Sequence, residues 1–176
     1  MGEYPVFYAF SGEFGSRVYR RTTEPRTFEL FLYFQETKNY CRMIKFSTLQ
    51  EGDLVIVDFE GVRREGIVSR LDHEEKKACV ESDVQEYWYA PEHMVPIPLD
   101  DEHLINTLGF EKQDMGDHTK YLKGAFRILV PQGGDFGHFD MWYREDRRHI
   151  NYPMAVHELQ NAYYQMTKVE LSPELT

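Results

Sequence analysis

Residues 49–72 read LQEGDLVIVDFEGVRREGIVSRLD, and this stretch decides the fold. After Gly52-Asp53 the chain has a short run with apolar side chains on both faces, which is typical of a buried strand. Glu60-Gly61 predicts a tight turn, and a second strand follows it. Gly66 within that second strand indicates a β-bulge or a close backbone approach. The stretch therefore predicts a β-hairpin.

Two further strands are predicted after this hairpin, over 76–82 and over 86–90, where Pro91 ends the second one. Short strands about ten residues apart, with turn residues between them, are typical of small barrels. Residues 49–98 thus predict a module that resembles a Src-homology-3-like barrel. Such a likeness of fold implies no function.

Residues 99–176 predict a helix, antiparallel strands and a C-terminal helix. The first helix follows Pro96 and Pro98, with Asp100 or Asp101 as its cap, and Gly109 ends it. Pro153 suits the first turn of the last helix. Strands are predicted over 120–124, 125–131 and 137–144, with a further short one over 149–152.

The segment before the hairpin, residues 1–48, is predicted to be a β-rich N-terminal segment, either a module of its own or an elaboration of the rest. Strands are expected there over 5–10, 16–21 and 41–46. With the other two parts, this region makes the chain an α+β protein, β-rich in its first half.

Charge is distributed unevenly along the chain. Residues 51–102 contain 15 acidic and 5 basic residues, and the net charge of the whole chain is −10. A negative field of this kind repels phosphates and disfavours direct nucleic-acid binding through 51–102. Two interpretations remain open: a well-hydrated surface, or an acidic face made for a basic partner.

The sequence predicts a cytoplasmic protein. Its first residues lack the basic segment of a signal peptide, and no apolar run is long enough to span a membrane. Cys41 and Cys79 are expected to be free thiols in such a compartment. No cofactor is predicted.

Two stretches carry a resemblance to a known family. They are IPLDDEHLINTLGFEK (97–112) and VHELQNAYYQMTKVELS (156–172). In combination they resemble a family of uncharacterised proteins from Bacteroidetes genomes and their phages or other mobile elements. The likeness covers residues 49–172, and Lys168-Val169 departs from the family pattern. It implies a phage or mobile-element origin and no particular chemistry.

No sequence motif supports an enzyme. The chain has neither a phosphate-binding loop of the GxxxxGK[ST] or GxGxxG type nor a GxSxG nucleophile elbow. A weak metal candidate is the set His138, Asp140 and His157, because two histidines and one carboxylate can hold a transition metal. The simpler interpretation is surface histidines and one helix histidine with a local hydrogen bond.

Two groups of residues are candidates for binding. Interleaved aromatic and arginine side chains can stack on bases or bind phosphates, although Glu145 and Asp146 interrupt this cluster and a charged turn is the alternative. The cluster comprises Trp142, Tyr143, Arg144, Arg147 and Arg148. The second group is a polar stripe on the last helix, which either lines a site or holds the helix by hydrogen bonds. It comprises His157, Asn161 and Tyr164.

Three functions follow as hypotheses. The leading one is a non-enzymatic interaction or accessory protein of a phage or mobile element, which binds a protein partner or a second copy of itself. The second is an acidic inhibitor that mimics nucleic acid and blocks a host defence or nucleic-acid enzyme, and it requires the carboxylates of residues 51–102 to form one continuous row. The third is a metal-dependent hydrolase.

Overall fold

Five antiparallel strands form the first sheet in the computed structural model, which describes residues 43–173. They are β1 (Leu54–Phe59), β2 (Val62–Asp72), β3 (Lys77–Ser82), β4 (Glu86–Tyr89) and β5 (Met94–Val95). Their order across the sheet is β4-β3-β2-β1-β5. The predicted hairpin is confirmed as β1 and β2, and the two strands predicted after it are confirmed as β3 and β4.

β1 lies between two hydrophobic cores. Val55 and Val57 are buried in the core of the first sheet, whereas Leu54 and Ile56 pack into a second, larger core. Successive side chains of a strand point to opposite faces, so a strand with a core on each side must be apolar at consecutive positions. This placement explains the continuous apolar run in the sequence of β1.

Gly66 marks the place where β2 and β3 approach closely. A Cβ atom on Gly66 would lie 2.6 Å from Cγ1 of Val80 and 2.7 Å from the carbonyl oxygen of Glu81. The pairing of the two strands shifts between Val68 and Arg70, so the bulge itself falls at Ser69. The predicted close approach is therefore confirmed at Gly66, and the bulge lies further along β2.

A short helical segment connects the two sheets. The N–H of His103 donates a hydrogen bond of 2.8 Å to the carboxylate of Asp100, which caps the segment as predicted. One turn begins at Asp101, a π-helix follows over His103–Thr107, and Gly109 ends the segment with φ of 65°. A positive φ of this size favours glycine, because a Cβ atom would crowd the backbone.

His103 ties this segment to the first sheet. Its Nδ1 lies 2.7 Å from Oδ1 of Asp100 and its Nε2 lies 3.4 Å from Oε1 of Glu65 on β2. These two carboxylates raise the pKa of His103 to about 9. Burial alone would raise the pKa of Asp100, but the hydrogen bonds from His103 outweigh it and lower that pKa.

Substitution of His103 by glutamine is expected to change how stability depends on pH. A raised pKa in the folded state means that the stabilisation is complete below about pH 6.5 and is lost as the pH rises through about 9. Its size is about 1 kcal/mol, because both carboxylates are half-exposed and solvent screens them. Urea unfolding of both proteins between these pH values measures it. A stability difference that stays constant over this range would contradict the ion pair.

The second sheet also has five antiparallel strands, in the order β10-β9-β8-β7-β6. They are β6 (Glu111–Asp114), β7 (His118–Lys123), β8 (Phe126–Pro131), β9 (Phe139–Tyr143) and β10 (Asp146–Ile150). Three of them confirm the strands predicted over 120–124, 125–131 and 137–144. β6 was not predicted, and the strand expected over 149–152 begins three residues earlier, at Asp146.

The helix α1 (Val156–Thr167) packs on the inner face of the second sheet. Leu159 and Tyr163 lie in one core with Phe126, Ile128 and Met141, and the rings of Phe126 and Tyr163 are 4.8 Å apart. Burial of a large apolar side chain contributes about 1.5–3 kcal/mol, so each of these residues stabilises the packing of α1 on the sheet.

The predicted start of α1 at Pro153 is wrong, because the helix begins at Val156. The N–H of Val156 donates to the carbonyl of Ile97, and the N–H of Leu99 donates to the carbonyl of Met154. This pairing with residues 97–99 keeps the backbone extended up to Ala155. The carboxylate of Glu158 then accepts the N–H of Ala155 at 3.0 Å, which completes the N-terminus of the helix.

The structure has the β-rich α+β character that the sequence predicts. Strand pairings among residues 43–173 form no closed barrel. The strand expected over 41–46 is wrong in its described part, since Phe46–Thr48 form a short 3-10 helix. Residues 1–42, with Cys41 and the strands expected over 5–10 and 16–21, lie outside the described residues. No helix within residues 43–173 has both the length and the apolar character needed to cross a membrane.

The boundary expected between residues 98 and 99 separates the two sheets in sequence and remains a prediction. The second core crosses this boundary, because Leu54 of β1 lies in it beside Leu99 and Leu159. Residues 49–98 and 99–173 therefore share part of their buried apolar surface.

Candidate functional site

Polar and cationic side chains meet on the outer face of the second sheet, opposite α1. Paired residues of antiparallel strands lie side by side on one face. Lys120, Leu129, Asp140 and His149 form one such row across β7 to β10. Leu122, Arg127, Trp142 and Arg147 form the adjacent row. We call these two rows, together with His118, the outer face, and none of its residues belongs to either hydrophobic core.

Trp142 is the centre of the outer face. The guanidinium of Arg127 lies 5.8 Å from the centroid of the indole and that of Arg147 lies 4.9 Å from it. Arg147 also donates to Asp140 at 2.7 Å, and Nδ1 of His149 lies 2.8 Å from the same carboxylate. Burial would raise the pKa of Asp140, but Arg147 and His149 outweigh it and lower that pKa. Asp140 thereby positions the guanidinium of Arg147 beside the ring.

The structure divides the basic and aromatic cluster that the sequence predicts. Trp142 and Arg147 lie on the outer face, whereas Tyr143 packs against the second core on the inner face. Arg148 is also on the inner side, where it donates to Gln165 of α1 at 3.2 Å. Arg144 has φ of 56° in the turn between β9 and β10, and its guanidinium lies over the ring of Tyr143. Only two of the five predicted residues therefore share one surface.

A cleft of about 430 Å³ lies where α1 passes the start of β1. Its lining includes three carboxylates, from Glu51, Asp53 and Glu170, and no described lining residue is a lysine or an arginine. Asn161 and Tyr164 of α1 form its other side. The electrostatic character of the cleft is therefore negative.

Asp53 is the most buried carboxylate of this cleft. Only 2% of the residue is exposed, and burial raises its pKa to about 7 although the N–H of Gln50 and the amide of Asn161 donate to it. These donors lie 2.8 Å and 3.3 Å from Oδ2. No described basic side chain forms an ion pair with Asp53 (within 4 Å). A cationic group entering the cleft would supply the missing counter-charge.

Gln160 holds three parts of the chain together beside the cleft. Its Oε1 accepts the N–H of Leu54 at 2.8 Å, and its Nε2 donates to the carbonyls of Gly52 and Leu171, both at 2.9 Å. β5 pairs with β1 only at Ile56 and Val57, so no strand within residues 43–173 lies on that side of the start of β1. The amide of Gln160 thus supplies the hydrogen bonds that a neighbouring strand would make.

The predicted polar stripe of α1 is divided between two environments. Asn161 donates to the carbonyl of Thr48 at 2.9 Å and lines the cleft with Tyr164, which is 41% exposed. His157 is buried, and its Nδ1 has no hydrogen-bond partner among the described residues. Burial lowers the pKa of His157, so the ring is neutral near pH 7. The hydrogen-bonding interpretation holds for Asn161, which also lines the cleft.

The set His138, Asp140 and His157 does not form a metal site. Asp140 lies on the outer face of the second sheet, while α1 carries His157 on the inner side. His138 is exposed and its Nδ1 lies 2.9 Å from Asp135. Within residues 43–173, no group of three histidine, cysteine or acidic side chains is placed to hold a metal ion.

The carboxylates of residues 51–102 are distributed over both ends of the first sheet. Glu60 and Asp83 lie in the turns that follow β1 and β3, whereas Glu74 and Glu75 lie in the opposite turn after β2. Arg64 and Arg70 pair with Asp83 and Glu86, at 3.2 and 3.1 Å. The carboxylates of residues 51–102 therefore do not form the single row that a nucleic-acid mimic requires.

Sequence reasoning missed Gln160, Lys120, Arg127 and His149. For Lys120 and Arg127 a signal existed, because they alternate with apolar residues in their strands and so had to face away from the core. For Gln160 there was no such signal, since its partners Gly52 and Leu54 are more than a hundred positions away.

Comparison with known proteins adds nothing to these assignments: no protein-family model, curated protein or solved structure matches the chain significantly.

Proposed function

We propose that the chain is a non-enzymatic protein of a phage or another mobile element, and that it acts by binding a protein partner with a basic segment. The resemblance of residues 97–112 and 156–172 to the Bacteroidetes and phage family supports the origin. The cleft supports the mode of action, and one observation carries it: Asp53 is buried in a cleft with Glu51 and Glu170, and although His73 also lines it, no described lining residue is a lysine or an arginine.

A lysine or arginine side chain fits such a cleft for two reasons. Its charge compensates a carboxylate that burial has deprived of water, which makes the pair stronger than an exposed one. Its aliphatic part contacts Leu49 and Leu71 of the lining, while Tyr164 offers an aromatic face at the exposed side. A basic protein segment supplies both parts.

We also propose that β1 to β5 form a variant of the Src-homology-3-like barrel. The support is the order of the strands: a meander of four, a 3-10 helix at Pro91–His93, and a last strand that returns to β1. Domains of this type are common in protein recognition, which agrees with the proposed function by analogy only.

Photo-crosslinking tests the proposed function. A photoreactive phenylalanine analogue in place of Tyr164 is expected to capture one protein in the cytoplasm of the host that carries the gene. The double variant Glu51→Lys, Glu170→Lys is expected to abolish the product, because it reverses the charge of the cleft. The matched control places the same analogue at Tyr87, which is exposed on β4. Equal products from both positions, or a product that survives charge reversal, would refute the proposal.

A further inference from the structure

The acids that interrupt the basic cluster in sequence are absent from the outer face. Asp146 pairs with Tyr143 in the sheet, so it lies on the inner side, where it forms an ion pair with Arg148 at 3.6 Å. Glu145 lies in the turn. The pleat thus separates Arg147 from its acidic neighbours and places it beside Trp142. The interruption that weakened the nucleic-acid interpretation does not exist on the folded surface.

The cations of the outer face exceed its carboxylates. Three basic residues, Lys120, Arg127 and Arg147, stand against two acidic ones in these rows, Asp140 and Glu111, which pairs with Leu122 on the edge strand β6. Arg147 is paired with Asp140, but Lys120 and Arg127 form no ion pair with any carboxylate of the described residues. In a chain with a net charge of −10, this local excess of positive charge is suited to an anionic ligand.

A shallow hollow of about 230 Å³ lies between these cations. Its lining combines three apolar or aromatic side chains, from Met115, Leu129 and Trp142, with three basic ones, from His118, Lys120 and Arg127. Enclosed sites for whole small molecules usually measure about 300–1,000 Å³. This hollow is smaller and open, and its lining is both apolar and cationic. Such a hollow suits one flat group of an extended polymer.

We propose that the outer face binds single-stranded nucleic acid. One base would lie on the hollow, another against the guanidinium of Arg127 or Arg147, and the phosphates would lie beside Lys120 and Arg127. Stacking on aromatic rings and guanidinium planes, combined with a positive groove, is how sequence-tolerant single-strand binding works. Both guanidiniums already lie close to the Trp142 ring, 5.8 Å and 4.9 Å from its centroid, so less conformational entropy is lost on binding than for a free arginine side chain.

Two alternative anionic polymers fit less well. A duplex keeps its bases stacked inside, so they cannot lie on the hollow. Its major groove is about 12 Å wide and cannot admit the whole sheet, because the five strands span about 19 Å. An acidic peptide brings carboxylates but no flat apolar group at each repeat. The surface is also separate from the acidic cleft, so this inference does not depend on the proposed protein partner.

Fluorescence anisotropy with a labelled oligothymidylate of about 12 nucleotides tests the proposal. We expect saturable binding to the full chain that weakens with salt, with a slope of log K against log salt of about −2, because two or three phosphates meet the cations. Arg127→Ala and Trp142→Ala are each expected to weaken binding about tenfold. Lys120→Glu, in the lining of the hollow, is also expected to weaken binding about tenfold. It leaves the row of Arg127, Trp142 and Arg147 unchanged.

The matched control is Arg144→Ala, which removes an arginine of the adjacent turn and is expected to change binding less than about twofold. Thermal unfolding of each variant verifies that it is folded. Three results would overturn the proposal: no binding at about 50 mM salt, equal weakening by Arg144→Ala and Arg127→Ala, or equally tight binding of a polyglutamate peptide or of duplex DNA. The last result would assign the face to another anionic partner.

Discussion

Replacing Gln160 with methionine is expected to destabilise the protein by about 3–5 kcal/mol. Methionine has a similar volume, so no cavity forms, and the loss reports the hydrogen bonds alone. The N–H of Leu54 and the carbonyl of Leu171 are buried and would lose the Gln160 amide as their partner. Each buried polar group without a partner costs about 1–3 kcal/mol, and the carbonyl of Gly52 adds a smaller contribution.

Urea unfolding measures this loss, and amide hydrogen exchange locates it. The N–H of Leu54 is expected to exchange faster in Gln160→Met than in the wild type, because its acceptor is gone. The matched control is Gln165→Met on the same helix, at an exposed position, which is expected to change stability by less than about 0.5 kcal/mol. If Gln160→Met costs no more than Gln165→Met, the amide does not hold the start of β1.

Asp53→Asn is expected to make the protein more stable than the wild type at pH 8 and to leave it nearly unchanged at pH 4. Burial raises the pKa of Asp53 to about 7 in the folded state, whereas the unfolded chain has the ordinary value near 4. The folded protein therefore holds this proton more tightly. Its contribution to stability is complete below about pH 4 and is lost as the pH rises through about 7.

The size of this effect is about 2–4 kcal/mol, since one pKa unit corresponds to about 1.4 kcal/mol. Asparagine has no proton to lose, and its carbonyl oxygen still accepts the N–H of Gln50. Unfolding of the two proteins at several pH values gives the difference directly, free of the other titrating groups. Asp83→Asn, at an exposed position on the first sheet, serves as control. A difference that does not grow between pH 4 and pH 8 would show that Asp53 is ionised without cost.

Sequence reasoning succeeded where the pattern is local. The turn at Glu60-Gly61 and the alternation of the strands were sufficient for β1 to β4, because strand period and turn chemistry act over a few residues. The same holds for the cap of Asp100 on the short helical segment. β6 was missed since all four of its residues are exposed and give no apolar alternation.

Sequence reasoning failed where contacts with a distant part of the chain determine the local structure. Pro153 is a good first residue of a helix, yet pairing with residues 97–99 keeps the chain extended as far as Ala155. His138, Asp140 and His157 looked convergent in sequence, but the sheet lies between Asp140 and His157. Neither outcome follows from local propensity, because each depends on contacts that form only on folding.

The hairpin of residues 49–72 was determined by the sequence alone, since its turn, its apolar pattern and the close approach at Gly66 all act between neighbours in the chain. The two candidate surfaces were decided only by the tertiary structure. Folding brings Asp53 and Asn161 into one cleft, and it places Arg127 and Arg147 on either side of Trp142. The reason is that a sheet orders side chains by strand register and pleat, which join residues far apart in sequence and separate adjacent ones.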